Sequence, residues 1–385
     1  MASSSSSARR WLYIGVVSLY WISMYLYMPT LPVYAKSKVA DLAQVGTILS
    51  MYGLWQAVAR FPLGIAADWA GRRKPFILGG FALSGLGALL MATADSAGGL
   101  LIGRALTGFA ASVWVLLVVA YNSEFPPEEA VRASALLSGV NSVARMLATG
   151  VTGALNRWGG YPLAFFAAAG TAAAAMLVLA PARETPRPSR APTLGGLGKL
   201  MLRPDVLIPS LLCTVMQYAA WTATFTFTPL LAEQFGATGD TLSLLTSMNI
   251  GVVMVGNFGA APVVKRWGAT RPIVWSFVGM LVAMGLLAFA QGLPAIFASQ
   301  IILGLVTGVS YSVLMGLSIR YVDETQRATA MGLFQAIYAI GMFAGPWLSG
   351  ILADAIGMQP MFGVVGVACL VLGLLGTPQL KEKTA

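Results

Sequence analysis

Twelve apolar runs, each close to the roughly 20 residues that a helix needs to cross a bilayer, occupy the chain from end to end. They begin near Trp11, Ala43, Pro75, Gly98, Arg132 and Tyr161 in the first half, and near Val206, Thr241, Pro272, Pro294, Ala328 and Pro360 in the second. Of the 385 residues, 57% are hydrophobic and 10% charged, and the mean hydropathy is +0.76. A soluble domain carries about 25% charged residues, and no water-soluble core hides so much apolar side chain in so few residues. Disorder is excluded for the same reason. The runs are too long for barrel strands and lack period-two alternation. The expected fold class is an all-α membrane protein with twelve transmembrane helices.

Composition then narrows the chemistry. The chain has no histidine, which removes the usual general base and the commonest metal ligand. Cys213 and Cys369 both fall inside apolar runs and read as small core residues, not as a disulfide or metal pair. A net charge of +10 raises the question of nucleic acid, but the charges lie in short clusters between apolar runs, as positive-inside loops do. No Gly-x-x-x-x-Gly-Lys-Ser/Thr occurs, which argues against an ATP-driven pump. No cofactor, metal or nucleic-acid partner is expected; the partners are a small solute, protons and the lipid bilayer.

The first run follows Ser3–Ser7 and the pair Arg9-Arg10. A cleaved signal peptide would have a shorter apolar region, so an uncleaved first helix with a cytoplasmic N-terminus is expected. Twelve spans then put both ends in the cytoplasm of a multi-pass cell-membrane protein. On that topology the external segments hold only Lys36, Lys38 and Arg157, and Arg60, Arg104 and Arg145 sit within runs. The rest of the 24 Lys and Arg fall on cytoplasmic segments, as the positive-inside rule requires.

The longest polar stretch lies mid-chain, with three prolines between Pro186 and Pro192, a poor helix and a natural linker. It divides the chain into residues 1–183, a linker at 184–203, and residues 204–385, six spans on each side. The halves echo one another. Gly71-Arg-Arg-Lys74-Pro75 after span 2 matches Gly268-Ala-Thr-Arg271-Pro272 after span 8. Arg104-Ala-Leu-Thr107-Gly108 in span 4 matches Gly304-Leu-Val-Thr307-Gly308 in span 10, and Arg132-Ala-Ser-Ala matches Arg327-Ala-Thr-Ala. Such repeats imply two similar bundles able to rock about a site near the bilayer midplane.

The segment Gly64-Ile-Ala-Ala-Asp68-Trp69-Ala-Gly71-Arg72-Arg73-Lys74 resembles the signature loop of the major facilitator superfamily, Gly-x-x-x-Asp-Arg-x-Gly-Arg-Arg between helices 2 and 3. Trp69 replaces the usual Arg. Arg104 with Gly108 resembles the family's helix 4 motif. The resemblance implies two pseudo-symmetric six-helix bundles, transport by alternating access, and a cytoplasmic latch in which Asp68 faces the positive end of helix 11 near Ala328. Gly64, Asp68, Gly71, Arg72 and Arg73 would form it, with Glu124 as a second carboxylate; it also carries over a gating or proton-relay role for Arg104. Independently, Asp68 and Arg72 are four residues apart and can pair if the helix continues.

No Asp or Glu lies well inside any span, whereas three arginines do. An intramembrane charge is costly and usually faces a cavity or a partner, and a guanidinium suits carboxylate or phosphate capture. Arg60 lies about 12 Å deeper along span 2 than Asp68, and Arg145 is near the middle of span 5. The expected lining adds Tyr52 and Gln56 from span 2, Asn141 from span 5, Gln217, Tyr218 and Trp221 from span 7, and Asn249 from span 8. Tyr311 from span 10 and Gln335 and Tyr338 from span 11 complete it. Span 7 carries Thr222, Thr224, Thr226 and Thr228 before Pro229, where a bend is expected.

Direction is less constrained. Family exporters often carry Gly-x-x-x-Gly-Pro on helix 5, whereas here Gly341-Met-Phe-Ala-Gly345-Pro346 lies on span 11. The leading expectation is a monomeric proton-coupled exporter of drug-like anionic or zwitterionic solutes, an efflux antiporter of the inner membrane. The alternative is a proton-coupled importer of small organic anions. A membrane-embedded transferase would need a positioned base or metal site that the spans lack.

Overall fold

A computed structural model describes residues 2–126, 129–182, 184, 200, 202–323 and 326–380. Most of the expected linker, 184–203, lies outside the described residues. All regular structure described is helical: α1 Ala2–Tyr25, α2 Leu31–Lys36, α3 Leu42–Ala70, α4 Lys74–Ala92, α5 Ala97–Ala111, α6 Trp114–Asn122 and α7 Ala130–Leu179, then α8 Pro204–Thr222, α9 Thr228–Gln234, α10 Gly239–Trp267, α11 Thr270–Ala288, α12 Leu293–Arg320, α13 Arg327–Ile356 and α14 Met358–Gly376.

These give twelve crossings among the described residues. α1 and α2 make the first, interrupted at Pro29, which has no N–H to continue a helix. α5 and α6 make the fourth. α7 makes the fifth and sixth, because Gly159 and Gly160 leave helical geometry and Gly160 takes φ +68° with ψ −177°, a conformation that glycine adopts without strain. α8 and α9 make the seventh, joined by a π-helical turn at Ala223–Phe227. The expected bend is therefore a widening, with Thr226 donating to the Trp221 carbonyl at 2.9 Å and Pro229 opening α9.

Among the described residues, nine stretches are long and apolar enough to cross a membrane by length and composition. The apolar excess faces outward: Leu177 is 75% exposed and Phe289 85%, as on a surface solvated by lipid. Helix packing without a hydrophobic driving force rests on small residues and close contact. Gly108 of α5 packs on the Tyr52 backbone of α3, and Gly308 of α12 on the backbone of α10, so the two Thr-Gly echoes perform the same packing in each half. Gly341 and Gly345 of α13 lie against the α8 backbone at Thr214 and Tyr218.

The halves meet through two helix pairs, α3 with α13 and α7 with α10. Each pair is antiparallel, so each has one end near the basic loops (Arg72, Arg203, Arg271, Arg327) and one at the opposite, far end. Both pairs close at the far end. A Cβ on Gly46 would strike the Pro346 carbonyl, and one on Gly350 would lie 2.8 Å from the Leu42 carbonyl oxygen. In the other pair, Gly153 N–H donates to Ser243 Oγ at 2.7 Å, Thr149 and Ser247 hydroxyls lie 2.8 Å apart, and Arg157 pairs with Asp240.

Candidate functional site

Between the halves lies a cavity of about 220 Å³. Tyr52, Gln56 and Arg60 of α3 and Asn141 and Arg145 of α7 line it from the first half; Gln217, Trp221, Asn249, Tyr311 and Tyr338 line it from the second. Its lining holds two arginines and no carboxylate. Aromatic residues that spacing did not single out, Trp114 of α6 and Phe225 of the π-turn, add walls, as do Trp21 and Tyr25 of α1. Tyr52 stacks on Trp221 across the halves with ring centres 5.1 Å apart.

The three buried arginines have different environments. Arg60 ties α3 to α13: Nη2 donates to Gln56 Oε1 and Nη1 to the Tyr338 hydroxyl and Gln335 carbonyl at 3.4 Å each, while Nε is buried without a hydrogen-bond partner. Arg145 lies 4.2 Å above the Tyr25 ring and 5.8 Å from Trp21, and its Nε is buried without a hydrogen-bond partner. Arg104 is wholly buried, lies 4.2 Å above the Tyr52 ring, and has no hydrogen-bond partner on any of its three nitrogens. It sits behind the wall and does not line the cavity.

Tyr218 and Gln335 also lie outside the lining. The Tyr218 hydroxyl is shared with Ser349 at 3.1 Å, and Gln335 Oε1 is buried and unpartnered. Of the tyrosines on span 1, Tyr20 donates to the Ala110 carbonyl at 2.9 Å and Tyr27 stacks on Phe165; both are packing residues.

The signature loop departs from its expected pairing. α3 stops at Ala70 because Gly71 takes φ +62°, which carries Arg72 off the helix face. Asp68 pairs instead with Arg73 at 3.3 Å. Arg73 and Lys74 N–H groups both donate to the Glu184 carboxylate, at 2.6 and 3.0 Å, which caps α4 within the same half. Glu124 pairs with Arg9 at 3.3 Å and does not join the Asp68 cluster. Gly64 faces open space. Among the described residues, no hydrogen bond or ion pair joins this end of α3 to the start of α13.

At the far end, the same pattern is engaged. Gly350-Ile-Leu-Ala-Asp354-Ala-Ile-Gly357 on α13 repeats the spacing of Gly64, Asp68 and Gly71, and Gly357 ends its helix at φ +90° as Gly71 does. The Asp354 carboxylate accepts from Leu42 N–H at 2.9 Å and Ala43 N–H at 2.8 Å, the first amides of α3. Asp41 caps the same helix by accepting from Gln44 N–H at 2.7 Å. Three amides that a helix start leaves unpaired are thus satisfied, one of these carboxylates coming from the other half.

The Major Facilitator Superfamily profile matches residues 13–209 and 210–383. The chain belongs to this superfamily. Its profile covers each six-span half once, and the superfamily's members are membrane transporters, not enzymes. Among relatives, an uncharacterised MFS-type transporter of Methanocaldococcus jannaschii is 22% identical over 93% of this chain and 96% of its own. The inner membrane transport protein YajR of Escherichia coli is 40% identical over 26% of this chain and 23% of YajR. Multidrug resistance protein MdtG of Serratia proteamaculans is 27% identical over 41% of this chain and 40% of MdtG; the chain therefore matches less than half the length of these two. Among solved structures, a nucleoside transporter NupG mutant superposes with TM-score 0.78 at 15% identity, covering 96% of this chain and 99% of that one. A bacterial homologue of the human lysosomal transporter Spinster, in an inward-facing and unoccupied conformation, does so with TM-score 0.78 at 14% identity, covering 98% and 99%. At such identities the likeness is one of fold.

Proposed function

We propose that the chain is a monomeric secondary active transporter of the cell membrane, both termini cytoplasmic, that exports small drug-like anionic or zwitterionic solutes in exchange for protons. The observation that carries the solute class is Arg145, which faces a cavity shared by both halves with Nε unpartnered and no carboxylate in the lining. A buried guanidinium without a counter-ion is costly, and a carboxylate-bearing solute supplies what it lacks. Lipophilic cations would meet only like charge. The export direction draws support from the multidrug relatives.

With the basic end cytoplasmic, the conformation described is inward-facing. The proposed mechanism is rocking of residues 1–183 against 204–385 about the cavity. At the far end Asp354 caps α3 and Gly350 admits its backbone; at the basic end Asp68 and Gly64 stand ready to do the same to the start of α13. Each carboxylate near the C-terminus of one helix faces the positive N-terminus of its antiparallel partner, so engaging one latch opens the other. The Arg73 and Lys74 N–H groups, bonded to Glu184, hold the inner loop in place until Asp68 is drawn across.

The experiment is exchange in proteoliposomes under imposed pH gradients of both signs, with labelled organic anions, zwitterions and cations. Anion or zwitterion efflux accelerated by an inward proton gradient supports the reading. Exchange restricted to cations refutes it, and uptake driven by the same gradient reverses the direction.

A further inference from the structure

We infer that the central cavity selects single-ring aromatic monocarboxylates, with the carboxylate on Arg145 and the ring among Trp21, Tyr25, Trp221 and Phe225. The inference rests on the transport reading above and narrows it.

Charge sets the first limit. Three arginines lie near the bundle centre, but Arg60 is held by Gln56, Tyr338 and the Gln335 carbonyl, and Arg104 is sealed behind Tyr52. Arg145 is the lining arginine that these bonds do not engage. A second anionic group on the solute would have to displace the bonds Arg60 makes to Gln56 and Tyr338, or be desolvated unpaired, which is strongly unfavourable. One charge is therefore the preferred number.

The walls set the second. The Arg145 guanidinium carbon lies 4.2 Å over the Tyr25 ring, and Arg145 lines the cavity. Around it, Tyr25 and Phe225 are 6.2 Å apart between ring centres, Trp221 and Phe225 4.8 Å, and Trp21 and Trp114 5.3 Å. These five rings come from three crossings, the first, fourth and seventh, which is more aromatic surface than an aliphatic acid can use: offset and edge-on ring contacts are worth more than their buried area alone. Size sets the third. A cavity of about 220 Å³ exceeds the roughly 150 Å³ apolar cavity that accepts benzene by about the bulk of a carboxylate and one small substituent.

Thermal-shift and competition binding on the purified full chain test this with benzoate, cyclohexanecarboxylate, benzylamine and phthalate. The expected order is benzoate, then cyclohexanecarboxylate at about fivefold weaker binding, with benzylamine and phthalate not competing. Trp221→Leu should abolish the preference for the ring while retaining carboxylate binding, and Arg145→Lys should retain charge selectivity with weaker affinity. Equal binding of benzoate and cyclohexanecarboxylate, or competition by phthalate, overturns the ring or the single-charge assignment while leaving the organic-anion transporter standing. Binding of benzylamine alone, or of no organic anion in a folded protein, overturns both.

Discussion

Asp354 and Leu42, 312 residues apart, are joined by a 2.9 Å hydrogen bond in which the α13 carboxylate accepts the first amide N–H of α3; its second oxygen takes Ala43 N–H at 2.8 Å. This bond crosses the boundary between the halves at the end opposite the signature loop. Charge-assisted bonds to a helix start are of the kind whose loss costs about 0.5–2 kcal/mol, and about 1.4 kcal/mol changes a two-state ratio tenfold.

Asp354→Asn should therefore shift the population toward the far-open state by up to about thirtyfold. A cysteine at Ser247, which lies at the α7–α10 contact, reports it: its labelling by an impermeant thiol reagent from the far side should accelerate in the variant.

Glycine substitution separates the two latches. Gly350→Val places a side chain where a Cβ already lies 2.8 Å from the Leu42 carbonyl oxygen, so far-end closure should fail and the same cysteine should label fast. Gly64→Val, in open space here, should leave this conformation intact and hinder the opposite one. Transport should fall in both, with opposite labelling patterns.

Asp68→Asn should abolish transport with little effect on melting temperature. Its only ion pair among the described residues is the half-exposed contact with Arg73, and such pairs contribute about 0–1 kcal/mol. Unchanged rates in proteoliposomes would remove Asp68 from the latch.

Arg145→Ala should raise the apparent KM for an anionic solute by roughly tenfold or more, as the loss of a charged hydrogen bond does. Arg60→Ala, which breaks the tie to Tyr338 and Gln335, should change the maximal rate more than KM. Initial-rate curves for the two variants distinguish these effects.

Crossings were legible in the sequence because lipid enforces a long apolar run whatever the neighbouring helices do. Arg145, Asn141 and Trp221 were legible as cavity residues because polar groups inside a span need a reason to be there. Pairings were not. Gly71 ends α3 and turns Arg72 away, and Glu124 is drawn to Arg9, both outcomes of local backbone geometry that spacing alone does not contain. The second latch was written in the chain as Gly350, Asp354 and Gly357, but the visible repeat relates span 2 to the parallel span 8. Span 11 runs antiparallel to span 2, so its copy falls at the other end of the molecule. Trp114 and Phe225 looked like any apolar residues until the bend at Ala223–Phe227 turned one of them inward.

Reciprocal opening of the two ends is measured most directly by spin-label distances across the halves, one pair at Trp69 and Gln326 near the basic loops and one at Lys38 and Ala355 at the far end. Relative to otherwise unaltered protein, Asp354→Asn should shorten the first distance and lengthen the second in the same sample. Distances that stay fixed, or that lengthen together, would contradict alternating access through paired latches.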